Sequence, residues 1–187
     1  MKTPTVRFAI ACTFLLLAAV IAAAADQRNV SASIQSPPDR KQAPAFRLID
    51  ASGKTVRLSD YRGKVMLLDF WATECGGCKI EIPWYMQFEH AYKDKGLAVV
   101  GISMDIQYES LKDANEGWSR VKPFVQAQKV NYTILMGDDR VSKAYDIEAL
   151  PATYLIDKNG RIAATYVGVL ADKSNVEANI NTLLMEH

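Results

Sequence analysis

Two nearly continuous apolar runs constrain the fold of this chain more than any other feature: KVMLLDFW, Lys64 to Trp71, and GLAVVGISMD, Gly96 to Asp105. A strand buried on both faces of a sheet reads this way, whereas a strand with one wet face alternates apolar and polar residues. Between the runs, Ile80, Trp84, Met86 or Gln87, Phe88 and Tyr92 recur at intervals near three and four, until Lys93, Lys95 and Gly96 signal a stop. The order strand, helix, strand predicts the right-handed parallel unit with its strands at the centre of a sheet. Pro83 falls inside the helix and is expected to kink it, because it removes one donor and clashes with the preceding turn.

The flanking sequence adds shorter elements. AFRLID and TVRLSD surround ASGK, the pattern of an N-terminal β-hairpin with Gly53 in its turn. Tyr108 to Gly117 is polar and reads as a surface insertion, and Lys122 to Gln128 as a short helix with Pro123 at its first position. NYTIL reads as a short strand or extended segment and Asp139 to Ile147 as a short helix. ATYLID and RIAATYVG flank an Asn-Gly turn, and Lys173 to Met185 closes the chain as a helix with Val176, Ile180, Leu183 and Leu184 on one face. The expected class is α/β, with a mixed central sheet flanked by helices around one core.

The N-terminus is organised differently. Lys2 and Arg7 flank the start of an apolar run, Phe8 to Ala25, and Ala23 and Ala25 fit an A-x-A cleavage site before Asp26. Residues 1–25 are therefore expected to be a signal peptide. If uncleaved, residues 8–25 would be an anchor, at the short edge of a bilayer span. Residues 26–43, DQRNVSASIQSPPDRKQA, are polar and contain Pro37 and Pro38, which predicts a flexible linker. The fold is then expected in residues 44–187. With 22 basic and 21 acidic side chains, a formal charge of +1, the chain offers no basic stripe for a phosphate backbone, so nucleic acid is not an expected partner.

Export matters for the cysteines. Cys12 lies within the apolar run and would leave with the signal, so of 3 cysteines only Cys75 and Cys78 would reach a compartment where disulfides persist. A bridge across so small a loop constrains the unfolded chain little, so it is a poor staple. Zinc wants four ligands, and the only histidines are His90 and His187, so no metal site is expected. Copper is a closer alternative, since soft thiolates suit Cu(I).

Position favours redox chemistry. Cys75 would sit at the N-terminus of the helix that follows a buried strand, where unpaired N–H groups and the helix dipole favour a thiolate. Gly76 and Gly77 leave the loop permissive, and Cys78, deeper in the helix, would be the shielded thiol. Asp69 stands within the apolar run. If buried, its pKa should rise, making it a candidate base for Cys78 through a water; otherwise it is a strand-edge acid facing solvent. Glu81, three residues after Cys78, either tunes that thiol or is an ordinary exposed helix acid. Pro151, in EALPATYLID, precedes a strand, and base rates do not make its peptide bond cis.

At this point the residues resemble a family. FWATECGGC resembles the thioredoxin active-site segment. APAFRLIDASGKTVRLSDYRGKVMLLDFWAT, with EIP after the second cysteine, resembles the exported TlpA/ResA-like branch of the thioredoxin-fold thiol:disulfide oxidoreductases, and LPATYLIDKNGRI is similar to that branch's segment around a cis-proline. The likeness runs from about residue 43 to the C-terminus. It implies a thioredoxin-like fold and a Cys75–Cys78 redox disulfide, with Cys75 attacking and Cys78 resolving. Glu81 matches the acid this branch carries shortly after the second cysteine, and Asp69 matches the buried aspartate of thioredoxin itself, where this branch often has Asn; Leu150 and Pro151, with Trp71 and Glu74, are implied to face the substrate. No cofactor is implied. The implied partners are protein thiols and disulfides and a membrane electron donor or acceptor protein. The implied setting is a periplasmic monomer, with cytochrome c maturation among its processes.

Two departures stand out. Glu74 replaces the Trp usual before the first cysteine, and its charge should raise the Cys75 pKa and disfavour anionic partners. Gly-Gly replaces a Pro-containing dipeptide, so the redox poise does not carry over. Two alternatives remain at this point. One is a peroxiredoxin-like peroxidase, for which ATEC invites comparison although Ala72 stands where a Thr is needed. The other is a copper-binding chaperone, which would retain Cu(I) and reduce no disulfide.

Overall fold

The structure is a computed structural model that describes residues 30–186. The expected signal peptide and Cys12 lie outside the described residues. Seven strands form one sheet: β1 Arg47–Asp50, β2 Thr55–Arg57, β3 Val65–Trp71, β4 Leu97–Ser103, β5 Thr133–Met136, β6 Ala152–Ile156 and β7 Ile162–Val167. Their order is β2-β1-β5-β4-β3-β6-β7. The central β3, β4 and β5 run parallel, while β6, β7 and the β1–β2 hairpin join antiparallel, so the sheet is mixed. Helices α1 Gly76–Tyr92, α2 Asp105–Tyr108, α3 Ala114–Gln128, α4 Asp139–Ala144 and α5 Ser174–Met185 complete the fold.

The two apolar runs are β3 and β4, and every residue of both is buried. Strand alternation explains why the runs are continuous. Val65, Leu67 and Trp71 face a core with Ile82, Tyr85 and Phe88 of α1, Val121 of α3 and Val176, Ile180 and Leu183 of α5. Met66, Leu68 and Phe70 face a second core with Phe46, Leu48, Val56, Val141 and Tyr145. Asp69 shares the parity of Leu67 and Trp71 and so points under α1.

Four local expectations need correction. Residues 30–43 are not a free linker. Val30 pairs in parallel with Leu170, Gln42 pairs with Arg161, and the Gln35 N–H reaches the Ala163 carbonyl at 2.8 Å. Val30, Ala32 and Ile34 alternate inward with two serines between them, a strand-like period that the small residues disguise. Arg40 fixes the far end: its buried guanidinium lies 3.2 Å from Asp157 and makes two bonds of 2.6 and 2.7 Å to Glu186.

Half of the expected insertion at 108–117 is helix, the end of α2 and the first turn of α3. Asp113 accepts from the Asn115 and Glu116 N–H groups and starts α3 nine residues before Pro123, which therefore lies mid-helix. Pro83 likewise sits within α1 without ending it. Finally, the buried stripe of α1 is Cys78, Glu81, Ile82, Tyr85 and Phe88, and Ile80 is 52% exposed.

Candidate active site

The site forms where β3 ends and α1 begins. Thr73 holds that junction, because its N–H and hydroxyl both bond the buried Asp105 carboxylate, which Ser103 also contacts at 2.8 Å. This bracket was missed in sequence, where Ser103 and Asp105 at the end of the second apolar run are its trace. Cys75 is the N-cap of α1, and its Sγ accepts from the Cys78 N–H at 3.2 Å. Cys75 and Cys78 form a disulfide of 2.06 Å. Both are almost wholly covered, at 3% and 1% exposure, so a partner thiol has a narrow approach.

The two glycines of the bridge differ. A Cβ on Gly76 would meet nothing within 4 Å, whereas one on Gly77 would lie 2.3 Å from Val169 Cγ2 and 3.1 Å from Pro151 Cδ. A side chain at 77 would force Val169 to move, because its methyl already fills that space. The Leu150–Pro151 bond is cis, and the Pro151 carbonyl accepts from the Gly168 N–H at 2.9 Å. Val169, at 45% exposure, leaves an apolar side chain beside the disulfide loop.

Two acids lie beneath the bridge. Asp69 is 1% exposed, and its Oδ1 has no hydrogen-bond partner among the described residues. Burial pushes its pKa well above the ordinary carboxyl value, and the Glu81 charge adds to that. Glu81 is also 1% exposed, so it is not an exposed helix acid. Its Oε1 accepts from the Leu170 N–H at 2.7 Å, and its Oε2 from the Tyr85 hydroxyl at 2.9 Å, which in turn lies 2.9 Å from Thr153 Oγ1. Burial raises the Glu81 pKa, and the Leu170 N–H and Tyr85 hydroxyl oppose the rise. Tyr85, Thr153 and Leu170 escaped the sequence reading because only their contact with Glu81 gives them a part in the site.

Trp71 does not face a substrate. It is wholly buried with its ring centroid 5.2 Å from that of Phe124, because β3 parity turns it into the α1-side core. Its Nε1 and the Tyr132 ring close over Gly101, where a Cβ would lie 2.9 Å from Nε1 and 3.2 Å from Tyr132 Cε2. Glu74 is 56% exposed at its side chain and lies 3.6 Å from Lys79 Nζ, so its charge has a neighbour of opposite sign.

The comparisons fit this geometry. The AhpC/TSA family profile matches residues 40–165. The thiol-disulfide oxidoreductase ResA of Bacillus subtilis (strain 168) is 32% identical over 145 residues, covering 76% of this chain and 75% of that protein. The chain belongs to the ResA-type thiol-disulfide oxidoreductases of the AhpC/TSA family. The solved structure provisionally described as a thiol:disulfide interchange protein DsbE from Chlorobium tepidum superposes on this oxidoreductase with a TM-score of 0.68 at 30% identity, over 81% of this chain and 99% of that one. The thioredoxin domain of a thiol-disulfide oxidoreductase from Bacteroides vulgatus gives 0.63 at 26% identity, over 76% and 96%. The fold of this ResA-type enzyme is thus thioredoxin-like. Among its described residues, no group of three or more His, Cys, Asp or Glu is placed to hold a metal ion, and no helix is long and apolar enough to cross a membrane.

Proposed function

We propose that this oxidoreductase works in an exported compartment, passing two electrons between its Cys75–Cys78 pair and cysteines of partner proteins. The observation that carries this reading is a disulfide at the N-cap of α1 above two buried acids. In the reducing direction, the Cys75 thiolate attacks one sulfur of a substrate disulfide, and that S–S bond breaks to release a substrate thiolate. Cys78 then loses its proton and attacks Cys75 Sγ. The mixed disulfide breaks, the second substrate thiolate leaves, and the Cys75–Cys78 bridge forms. The substrate gains the two electrons that the dithiol loses, and a membrane donor protein restores the dithiol.

Asp69 and Glu81 are the groups suited to take the Cys78 proton, because burial holds both acids above the usual carboxyl range, nearer a thiol's own. The helix N-terminus supports a thiolate at Cys75. Leu150 is suited to pair with an extended substrate strand, since its N–H and carbonyl make no hydrogen bond among the described residues. Pro151 and Val169 would flank that strand, with Glu74 and Lys79 towards the α1 side.

Residues 1–25 would direct export, with cleavage before Asp26, or residues 8–25 would anchor the enzyme in the inner membrane. The domain would act as a monomer in the periplasm, and apocytochrome c cysteines are its proposed substrate class. Trapping the pair in growing cells with a thiol-alkylating probe tests this. Labelled, reduced cysteines that become bridged when the membrane donor is removed are the expected result. A pair that stays bridged with the donor present would contradict a reductant.

A further inference from the structure

The loop between β7 and α5 touches the redox centre with three consecutive residues. Gly168 donates its N–H to the Pro151 carbonyl, Val169 fills the space above Gly77, and Leu170 donates its N–H to Glu81 at 2.7 Å. Such a loop fixes the acid and the disulfide dipeptide only as well as it is itself held from behind.

The segment that holds it is the one whose composition suggests a tether. Val30 pairs with Leu170, and its Cγ2 lies 3.5 Å from where a Gly168 Cβ would be. The Ala32 N–H bonds Asn175 Oδ1 at 3.0 Å, and Asn179 Nδ2 returns a bond to the Ala32 carbonyl at 2.8 Å, so the strap is also fastened to the start of α5. Arg40 secures its other end through Asp157 and Glu186. A passive tether has no use for this many directed bonds along its length.

We propose that residues 30–43 are a positioning element of the redox centre, which holds the 168–170 loop so that the Leu170 N–H stays on Glu81 and Val169 stays over Gly77. The inference rests on the reading that Glu81 serves the Cys78 thiol. The strap touches no sulfur and acts only through the loop. The segment leading from the export signal is thereby mechanically joined to the residues that set proton transfer.

The coupling is read in the pH dependence of disulfide reduction by the full-length enzyme. Glu81 accepts a proton only when ionised, so activity rises as pH passes its pKa. The Leu170 N–H favours the ionised form, and loosening the strap withdraws it. A Val30→Asp/Ala32→Pro variant should therefore move the acid limb upward by about one pH unit, roughly the worth of one hydrogen bond to a charged group. Asn175→Ala removes one fastening of the strap without altering the strap itself and should move the limb the same way by less.

The same changes in a Glu81→Gln background should leave the limb where Glu81→Gln alone puts it. An unmoved limb in the strap variants, with hydrogen exchange at Gln35 showing the strap released, would overturn the inference. So would an equal shift with and without Glu81, since the strap would then act on the fold at large. If Glu81→Gln alone leaves the wild-type profile, the reading of Glu81 fails, and the strap's route through it fails for that separate reason.

Discussion

Replacing Cys75 with Ser is expected to lower reduction of an insulin-type disulfide by about a thousandfold or more, while leaving the fold in place. A serine hydroxyl is not ionised near neutral pH and forms no bridge to Cys78, so neither half of the exchange can occur. The shape should survive for two reasons. The bridge spans only three positions and constrains the unfolded chain little. A serine at 75 also keeps a capping oxygen for the Cys78 N–H that Sγ now accepts. Unchanged far-UV circular dichroism with lost turnover is the expected pair of measurements. Residual reduction within tenfold of wild type would show that another group attacks. Peroxide turnover or stoichiometric retention of Cu(I) by the wild-type protein would instead revive the peroxidase or the copper chaperone.

Asp69→Asn should make the protein more stable at neutral and alkaline pH and slower in catalysis. The native carboxyl binds its proton more tightly than the unfolded one, because burial penalises the charge with Glu81 adding to it. Below the ordinary aspartate pKa both states are protonated, and the group does not affect stability. As pH rises from there through the raised native value, the unfolded state ionises first and stability falls; above the native value the loss is complete. An amide does not ionise, so the variant should lack this part of the fall, and its unfolding free energy should decline less steeply than wild type across that window. It should exceed wild type on the alkaline side, because there only the wild-type protein must bury a charge at this position. Turnover should fall by about a hundredfold, the lower end of what a positioned base contributes. Denaturant unfolding at several pH values checks the first effect and steady-state disulfide reduction the second. A variant destabilised at high pH with full activity would contradict both.

How much of this was legible in the sequence depends on how local the cause was. The β3-α1-β4 unit could be read because a strand buried on both faces leaves an unbroken apolar run, and the cysteine pair because its place after that run is itself a local pattern. The burial of Asp69 followed from its apolar neighbours. Trp71 was misplaced because a continuous run hides parity: nothing in KVMLLDFW says which residues face α1. The strap was missed because VSASI alternates with residues too small to register as apolar, and Arg40 finds Asp157 and Glu186 only through the fold. Helix α3 was read too short because Asp113, its cap, stands in a polar stretch that masks the spacing of Trp118, Val121, Phe124 and Val125. The Thr73–Asp105 bracket and the Glu81–Tyr85–Thr153 chain join segments far apart in sequence, and such contacts leave no periodicity to read.

The division of labour between the two cysteines is the centre of this account, and one measurement addresses it directly. Cys78→Ser protein, mixed with a protein disulfide and quenched with acid, should accumulate a covalent enzyme–substrate adduct. Peptide mass mapping should place the new bond on Cys75, because the thiol that would release the substrate is gone. No adduct, or continued turnover in that variant, would show that Cys78 does not resolve a bond formed at Cys75.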